Sequence, residues 1–266
     1  MSDLKKDYWK YYTRVEYESP VYKIVEDEKG IKTRINKCCF PIKLTDWEEY
    51  NQIAYPALAI SPLFLQRRLN IDTKEFALFD FVTIKYIQDN AVHELERMFS
   101  MAFNEPIIAA LYKLGDYQEM RFVFVSDMEI YINKDNYEAV REIMMTQAFY
   151  FDPVVGANER SQKVIDKAIQ KIINQNKGNE VNIESMISII RSEFGERDWA
   201  NYTYYEMKID YHTIMKKEKF RAIHIYRVLG SKEPIPELGA VCEAHKNPLG
   251  EDVLFKKNDR AKDKDY

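Results

Sequence analysis

Glycine is scarce in this chain: the eight glycines, at 30, 115, 156, 178, 195, 230, 239 and 250, never stand closer than nine residues. A loop that cradles phosphate needs glycines within about six residues of one another, because a Cβ would hold the backbone off the phosphate oxygens. The P-loop, the dinucleotide fingerprint, the kinase glycine loop and the nucleophile elbow are therefore excluded. Cysteine is scarcer still. Cys38, Cys39 and Cys242 are an odd number with two adjacent, a poor basis for a disulfide framework. Histidine is confined to positions 93, 212, 224 and 245. His93-Glu94-Leu95-Glu96 lacks the second histidine that would put two ligands on one helical face, His212 and His224 are off the i,i+4 spacing, and Cys242 has only His245 nearby. No metal and no cofactor is expected.

Long apolar runs are also missing. The best, Ile53 to Leu65, is broken by Pro56 and Pro62 and falls short of the ~18 residues a membrane span needs. The first ten residues are charged from position 3 and lack the apolar stretch of roughly 7–15 residues of a secretory signal, so a cytoplasmic protein is expected. Excess positive charge is absent as well: 39 Lys and Arg stand against 43 Asp and Glu, a net charge of −4. No bulk basic field draws the chain to nucleic acid or anionic lipid.

What is present suits a soluble globular protein. With 46% hydrophobic and 31% charged residues, the 266-residue chain cannot be wholly disordered, and it is long enough for one large domain or two small ones. Val21 to Val25 is a short strand candidate, and Ile31, Thr33 and Ile35 alternate with Lys32, Arg34 and Asn36 as in a half-buried strand. Thr45 followed by Glu48 predicts a capping box and a helix to about Tyr55, stopped by Pro56. The run from Phe76 to Ile87 suits either strand or helix. Asn90 to Phe103 reads as a helix with Leu95, Met98, Phe99 and Ala102 on one stripe, and Glu105-Pro106 as the start of another ending at Gly115. Residues 120–134 read as a hairpin around Ser126-Asp127, and Asp135 as the cap of a helix turning Tyr137, Val140, Ile143 and Met144 inward.

Phe151 to Asn158 carries Pro153 and Gly156, which break both periods, and beyond it every segment reads as helix. Val164, Ile165, Ala168, Ile169, Ile172 and Ile173 make a wide stripe closed by Gly178. Asn182 caps a helix with Ile183, Met186, Ile187, Ile190 and Phe194, stopped by Gly195. Thr203 with Glu206 opens a long helix carrying Met207, Tyr211, Ile214, Met215, Ala222, Ile225 and Leu229, ended by Gly230 and Pro234. The expected fold is α+β and predominantly helical: a mixed N-terminal domain with a β-hairpin (1–150), a linker (151–159), an all-helical domain (160–255) that should fold without the first, and a charged disordered tail (256–266).

Catalytic constellations are not signalled. Glu48-Glu49 and the Glu94/Glu96 pair read as solvated helix faces. The aromatic run Tyr8, Trp9, Tyr11, Tyr12, Tyr17, Tyr22 is interleaved with Lys10, Arg14 and Lys23, but Asp7, Glu16 and Glu18 dilute its charge, so packing by amphipathic tyrosine outweighs base stacking. Met144, Met145, Met186, Met207 and Met215 read as core, with an adaptable binding groove as the other option. The protein is expected to be no enzyme.

The order of landmarks carries a resemblance. Pro41-Ile-Lys-Leu-Thr-Asp-Trp-Glu-Glu-Tyr50 leads into an apolar segment; a hairpin and Asp135-Asn-Tyr-Glu-Ala-Val-Arg-Glu-Ile-Met-Met-Thr-Gln-Ala-Phe149 follow. Then come a lysine-rich helix and, after it, Ile187-Ser-Ile-Ile-Arg-Ser-Glu-Phe-Gly195; a helix start at Asn201-Tyr-Thr-Tyr-Tyr-Glu-Met207 with Lys216-Lys-Glu-Lys-Phe220 in its continuation completes the series. Over about 41–229 this resembles tail assembly chaperones from the tail module of phages of low-GC Gram-positive bacteria. The resemblance implies no active site. It implies a protein of the host cytoplasm, absent from the mature virion, that coats the tape measure protein, keeps it soluble and hands it to tail-tube protein, with self-association left open and no nucleic-acid or membrane partner. The alternative is a structural virion component of the neck, tail or baseplate.

The helix at Ile183 to Phe194 and the long helix from Thr203 are expected to form an antiparallel pair burying Met186, Ile190, Met207 and Ile214. Tyr204, Tyr205 and Phe220 fall off that stripe. They are the candidate partner-binding residues, with packing on the N-terminal domain as the other reading.

Overall fold

The computed structural model describes residues 19–72, 76–114, 117–177 and 181–228. The expectations at residues 1–18, at Gly115 and Gly178, at Leu229, Gly230 and Pro234 and in the tail lie outside these. Among the described residues there are eight helices and two antiparallel sheets, an α+β and predominantly helical fold. In chain order they are β1 (Tyr22–Glu26), β2 (Lys32–Asn36), α1 (Leu44–Leu58), α2 (Pro62–Arg68), α3 (Leu78–Gln88), α4 (Val92–Phe103), β3 (Ile107–Leu114), β4 (Tyr117–Phe124), β5 (Asp127–Ile132), α5 (Tyr137–Ala148), α6 (Glu159–Asn176), α7 (Ile183–Phe194) and α8 (Tyr204–Val228).

Strands β3, β4 and β5 form a meander whose inner face buries Ile107, Phe122, Phe124, Ile130 and Ile132. The expected α4 stripe of Leu95, Met98, Phe99 and Ala102 lies in the same core, as do Leu78, Phe79 and Val82 of α3, the four inward residues of α5, and Trp47, Tyr50 and Ala54 of α1. Rings meet edge to face, Phe79 on Phe122 at 6.0 Å and Phe103 on Phe124 at 5.1 Å, the arrangement their quadrupoles favour.

Four local expectations are corrected. Residues 107–114 are a strand, not a helix. Ile107 and Ile108 are β-branched, and register with the apolar Phe122-Val123-Phe124 outweighs the helix propensity of Ala109, Ala110 and Leu111. The outer edge of β3 is covered by α4: the Ile107 N–H donates to Ser100 Oγ at 2.9 Å and the Ala109 N–H to Glu96 Oε1 at 2.7 Å. Helix α1 is not capped by Thr45, whose hydroxyl turns to Asp46; Lys43 is the N-cap and supplies no side-chain bond. Its first amide, of Leu44, instead donates to the Tyr202 carbonyl, and the Tyr204 amide to the Ile42 carbonyl, both at 2.9 Å, across an isolated Lys43/Thr203 bridge. Pro56 does not stop α1, which runs on to buried Ala57 and Leu58. Asp135 does not cap α5: Asn136 occupies that position, its amide group spent on the Asn133 N–H and the Tyr131 carbonyl.

The segment after α5 is held down by Arg141. This buried guanidinium donates twice to the Leu58 carbonyl, at 2.9 and 2.6 Å, so it caps the C-terminus of α1, and it reaches Asp152 at 2.5 Å. Such a cation is tolerable in a core because three of its five N–H donors are taken, one of them by a carboxylate. Asn158 and Ser161 form a reciprocal capping box for α6, which leans on the body through buried Ile165 while Val164 and Ile173 stay exposed. Asn182 caps α7 through the Ser185 N–H at 2.8 Å, and Gly195, at φ +76°, ends it in a conformation few other residues adopt. The Thr203–Glu206 box is present at 2.8 and 3.2 Å.

Met186, Ile190, Met207 and Ile214 form a second cluster with Tyr202. The sense of the pairing differs from expectation. Ile183, at the start of α7, packs against both clusters, as Tyr204 does at the start of α8, and Glu193, near the end of α7, pairs with Lys217. The helices therefore advance in the same direction, and residues 195–203 run back between them.

Candidate interaction surfaces

Tyr204 and Tyr205 do not stand free. Tyr204 stacks flat on Trp47 with centroids 3.5 Å apart and planes 3° apart, and Tyr205, 1% exposed, stacks on Phe149 at 5.1 Å. Burial pushes the Tyr204 phenol up to about 12 and pulls the neighbouring Lys208 ammonium down. The expectation that these two tyrosines remain exposed is thus corrected in favour of packing on the N-terminal half. Their place follows from the cap: Thr203 is fixed by Glu206 and by the bridge to Lys43, so the next two side chains must enter the space over α1 and α5. Phe220 is half-buried, edge-on to His224 at 4.5 Å.

The exposed apolar residues of α8 are others. Met215 is 45% exposed, Ile225 62% and Tyr226 56%, with exposed Ala222 between them. Spaced by seven and then four residues, Met215, Ala222 and Tyr226 line one stripe, with Ile225 at its margin. Met215, read from the sequence as core, is corrected to an exposed residue. At 100° per residue Met215 lies well round the helix from Ile214, which is buried, and that angle was the available signal. Lys216, Lys217, Lys219 and Arg221 surround the stripe, with Glu218 as the one carboxylate between Met215 and Tyr226.

A cleft of about 640 Å³ lies between the start of α1 and the end of α4, lined by Phe40, Ile42, Lys43, Arg97, Met101 and Pro106. Its charges are largely spent within the protein. Arg97 pairs with Glu49, and Lys37 at the rim holds Glu105 at 2.6 Å, together with Ser126. Burial alone would raise the Glu105 pKa, but these two donors leave it below the usual glutamate value. Of the carboxylates weighed earlier, Glu96 is corrected from a solvated face to the cap of the β3 edge. Among the described residues no group of three His, Cys, Asp or Glu side chains is placed to hold a metal ion. Cys39 is buried and its thiol pushed up by burial, the opposite of what a nucleophile needs.

Compared with protein-family models, with curated proteins and with solved structures, the chain matches none. The geometry alone must therefore speak for the surfaces. The exposed features include an apolar stripe on α8 and an open strand edge.

A second exposed apolar surface is the β1–β2 hairpin. Its strands pair antiparallel from Tyr22↔Asn36 to Glu26↔Lys32, yet Ile24 and Ile31 are each 59% exposed and Val25 and Ile35 each 41%. The half-buried strand expected at 31–35 is thus a strand, but one open on both faces, because neither face lies on the main core. Lys23 anchors it to the meander through Asp127 at 2.5 Å and Glu129 at 3.0 Å.

Proposed function

We propose that the protein is a non-enzymatic tail assembly chaperone of phage, holding the tape measure protein in the host cytoplasm, passing it to tail-tube protein and staying out of the mature virion. The observation that carries the reading is the exposed Met215–Ala222–Tyr226 stripe on a helix whose first half is locked in the core. A long helical client offers an apolar seam to such a stripe, and Met there adapts to a changing sequence of side chains. No helix of the described residues is long and apolar enough to cross a membrane.

The test is co-expression with the tape measure protein of the same genome. Wild type should keep that client soluble. Met215→Ser/Ile225→Ser/Tyr226→Ser should lose it while melting near the wild-type temperature, since exposed substitutions usually shift stability by under about 0.5 kcal/mol. A triple variant that still holds the client overturns the assignment of the surface. Mass spectrometry of purified particles decides the other reading: stoichiometric copies in the virion mean a structural component.

A further inference from the structure

Strand β2 leaves one edge open among the described residues, a feature independent of the chaperone reading. The Lys37 N–H donates to the Val21 carbonyl and the Asp27 N–H to the Ile31 carbonyl, at 2.9 and 3.0 Å. These two bonds fix the phase of the ladder. Ile31, Thr33, Ile35 and Lys37 turn their backbone groups toward β1, and Lys32, Arg34 and Asn36 turn theirs outward. Strand β2 pairs with β1 alone, so among the described residues three N–H and three carbonyl groups in a row have no backbone partner.

The side chains state what would fit. From Lys29 to Lys37 the chain carries Lys29, Lys32, Arg34 and Lys37 and no carboxylate, within a protein of net charge −4. Lys37 is spent on Glu105 and Lys32 shares a solvent-screened pair with Glu26 at 3.7 Å, so the positive strand face rests on Lys29, Lys32 and Arg34. Lys32, Arg34 and Asn36 share one face; Ile31, Thr33 and Ile35 share the other, beside Val25. Arg34 is stiffened by its stack on Tyr22 at 3.7 Å and by its bond to the Ser19 carbonyl at 2.6 Å. A second copy is the wrong occupant: pairing β2 with itself sets Arg34 against Arg34, and like charges directly opposite are destabilising. A nucleic acid would answer the charges but could not donate to the outward carbonyls in strand register.

We propose that β2 accepts an extended segment of an acidic partner protein as an added antiparallel strand, with Asp or Glu opposite Lys32 and Arg34 and apolar residues opposite Ile31, Thr33 and Ile35. Because the outward groups belong to Lys32, Arg34 and Asn36, the partner's acidic residues are the ones whose amides complete the ladder.

The full-length protein is titrated with four fluorescent heptapeptides: one alternating Val and Glu, one alternating Val and Lys, and two forms of the first, N-methylated at its Glu residues or at its Val residues. The Val/Glu peptide should bind at least tenfold more tightly than the Val/Lys peptide, lose binding on Glu methylation and keep it on Val methylation. Lys32→Glu/Arg34→Glu should invert the preference. Should that variant lose the hairpin, Lys29→Glu/Lys32→Glu, which leaves the Arg34 contacts intact, must still weaken the Val/Glu peptide several-fold. Equal binding of both peptides, indifference to Glu methylation, or dimerisation through this strand overturns the proposal. So does displacement by single-stranded DNA with no effect of methylation, which would mean charge alone.

Discussion

Glu105 shows how a surface carboxylate can make stability depend on pH. Lys37 and Ser126 favour its charged form, so its folded pKa lies below its unfolded one. A depressed carboxylate contributes stability above its unfolded pKa, near 4.5, and that contribution is lost as the pH falls through the folded value. The site is a third exposed, so the effect is under about 1 kcal/mol. Urea midpoints measured from pH 6 to pH 3 should fall less steeply for Glu105→Gln than for wild type. The two should converge at the acid end, where wild-type Glu105 is protonated as well.

At the scale of elements, α4 is both a core helix and the cover of a strand. Its inner face supplies Leu95, Met98 and Phe99, and one turn apart on its flank Glu96 and Ser100 take the outward amides of β3. Glu96→Ala/Ser100→Ala should cost about 1–3 kcal/mol, because two amides lose their acceptors. It should also raise the aggregation rate in light scattering, since an uncovered edge is a template. Helix α4 was legible in the sequence because its stripe repeats at 3.6; α7 and α8 were legible because Asn182, Gly195 and Thr203–Glu206 mark their ends locally. The β4–β5 hairpin declared itself in Phe122-Val123-Phe124. Strand β3 was not legible, since Ala109 to Leu111 reads as helix until β4 lies beside it. Nor was the cap of α1, which comes from Tyr202, far along the chain. The same cause hides the surfaces: on α8 alone Tyr204 and Tyr205 fall off the apolar stripe, and only the stacks on Trp47 and Phe149 show where they go.

Across the whole molecule, the start of α8 is part of the N-terminal core. Tyr205 belongs to the same buried cluster as Leu58, Phe99 and Phe122, and Arg141 ties α1, α5 and Asp152 together. Tyr205→Ala should therefore destabilise the entire chain by about 3–5 kcal/mol rather than loosen one helix. Denaturation followed by far-UV circular dichroism and by tryptophan emission should shift together to lower denaturant. Two separated transitions, with only the helical signal shifted, would show that residues 160–228 fold as an independent unit.

The bond between Leu44 and Tyr202 has a consequence during synthesis. A ribosome adding roughly 5–20 residues per second takes about eight to thirty seconds to go from the first of these residues to the second. Through that interval the amide of Leu44 lacks its acceptor, and once Phe149 has been added the slot for Tyr205 stands open beside it. The nascent chain is thus an unfinished core awaiting its last wedge. Slow codons placed between α5 and α8 would lengthen its exposure to chaperones and proteases, with no change in the finished protein.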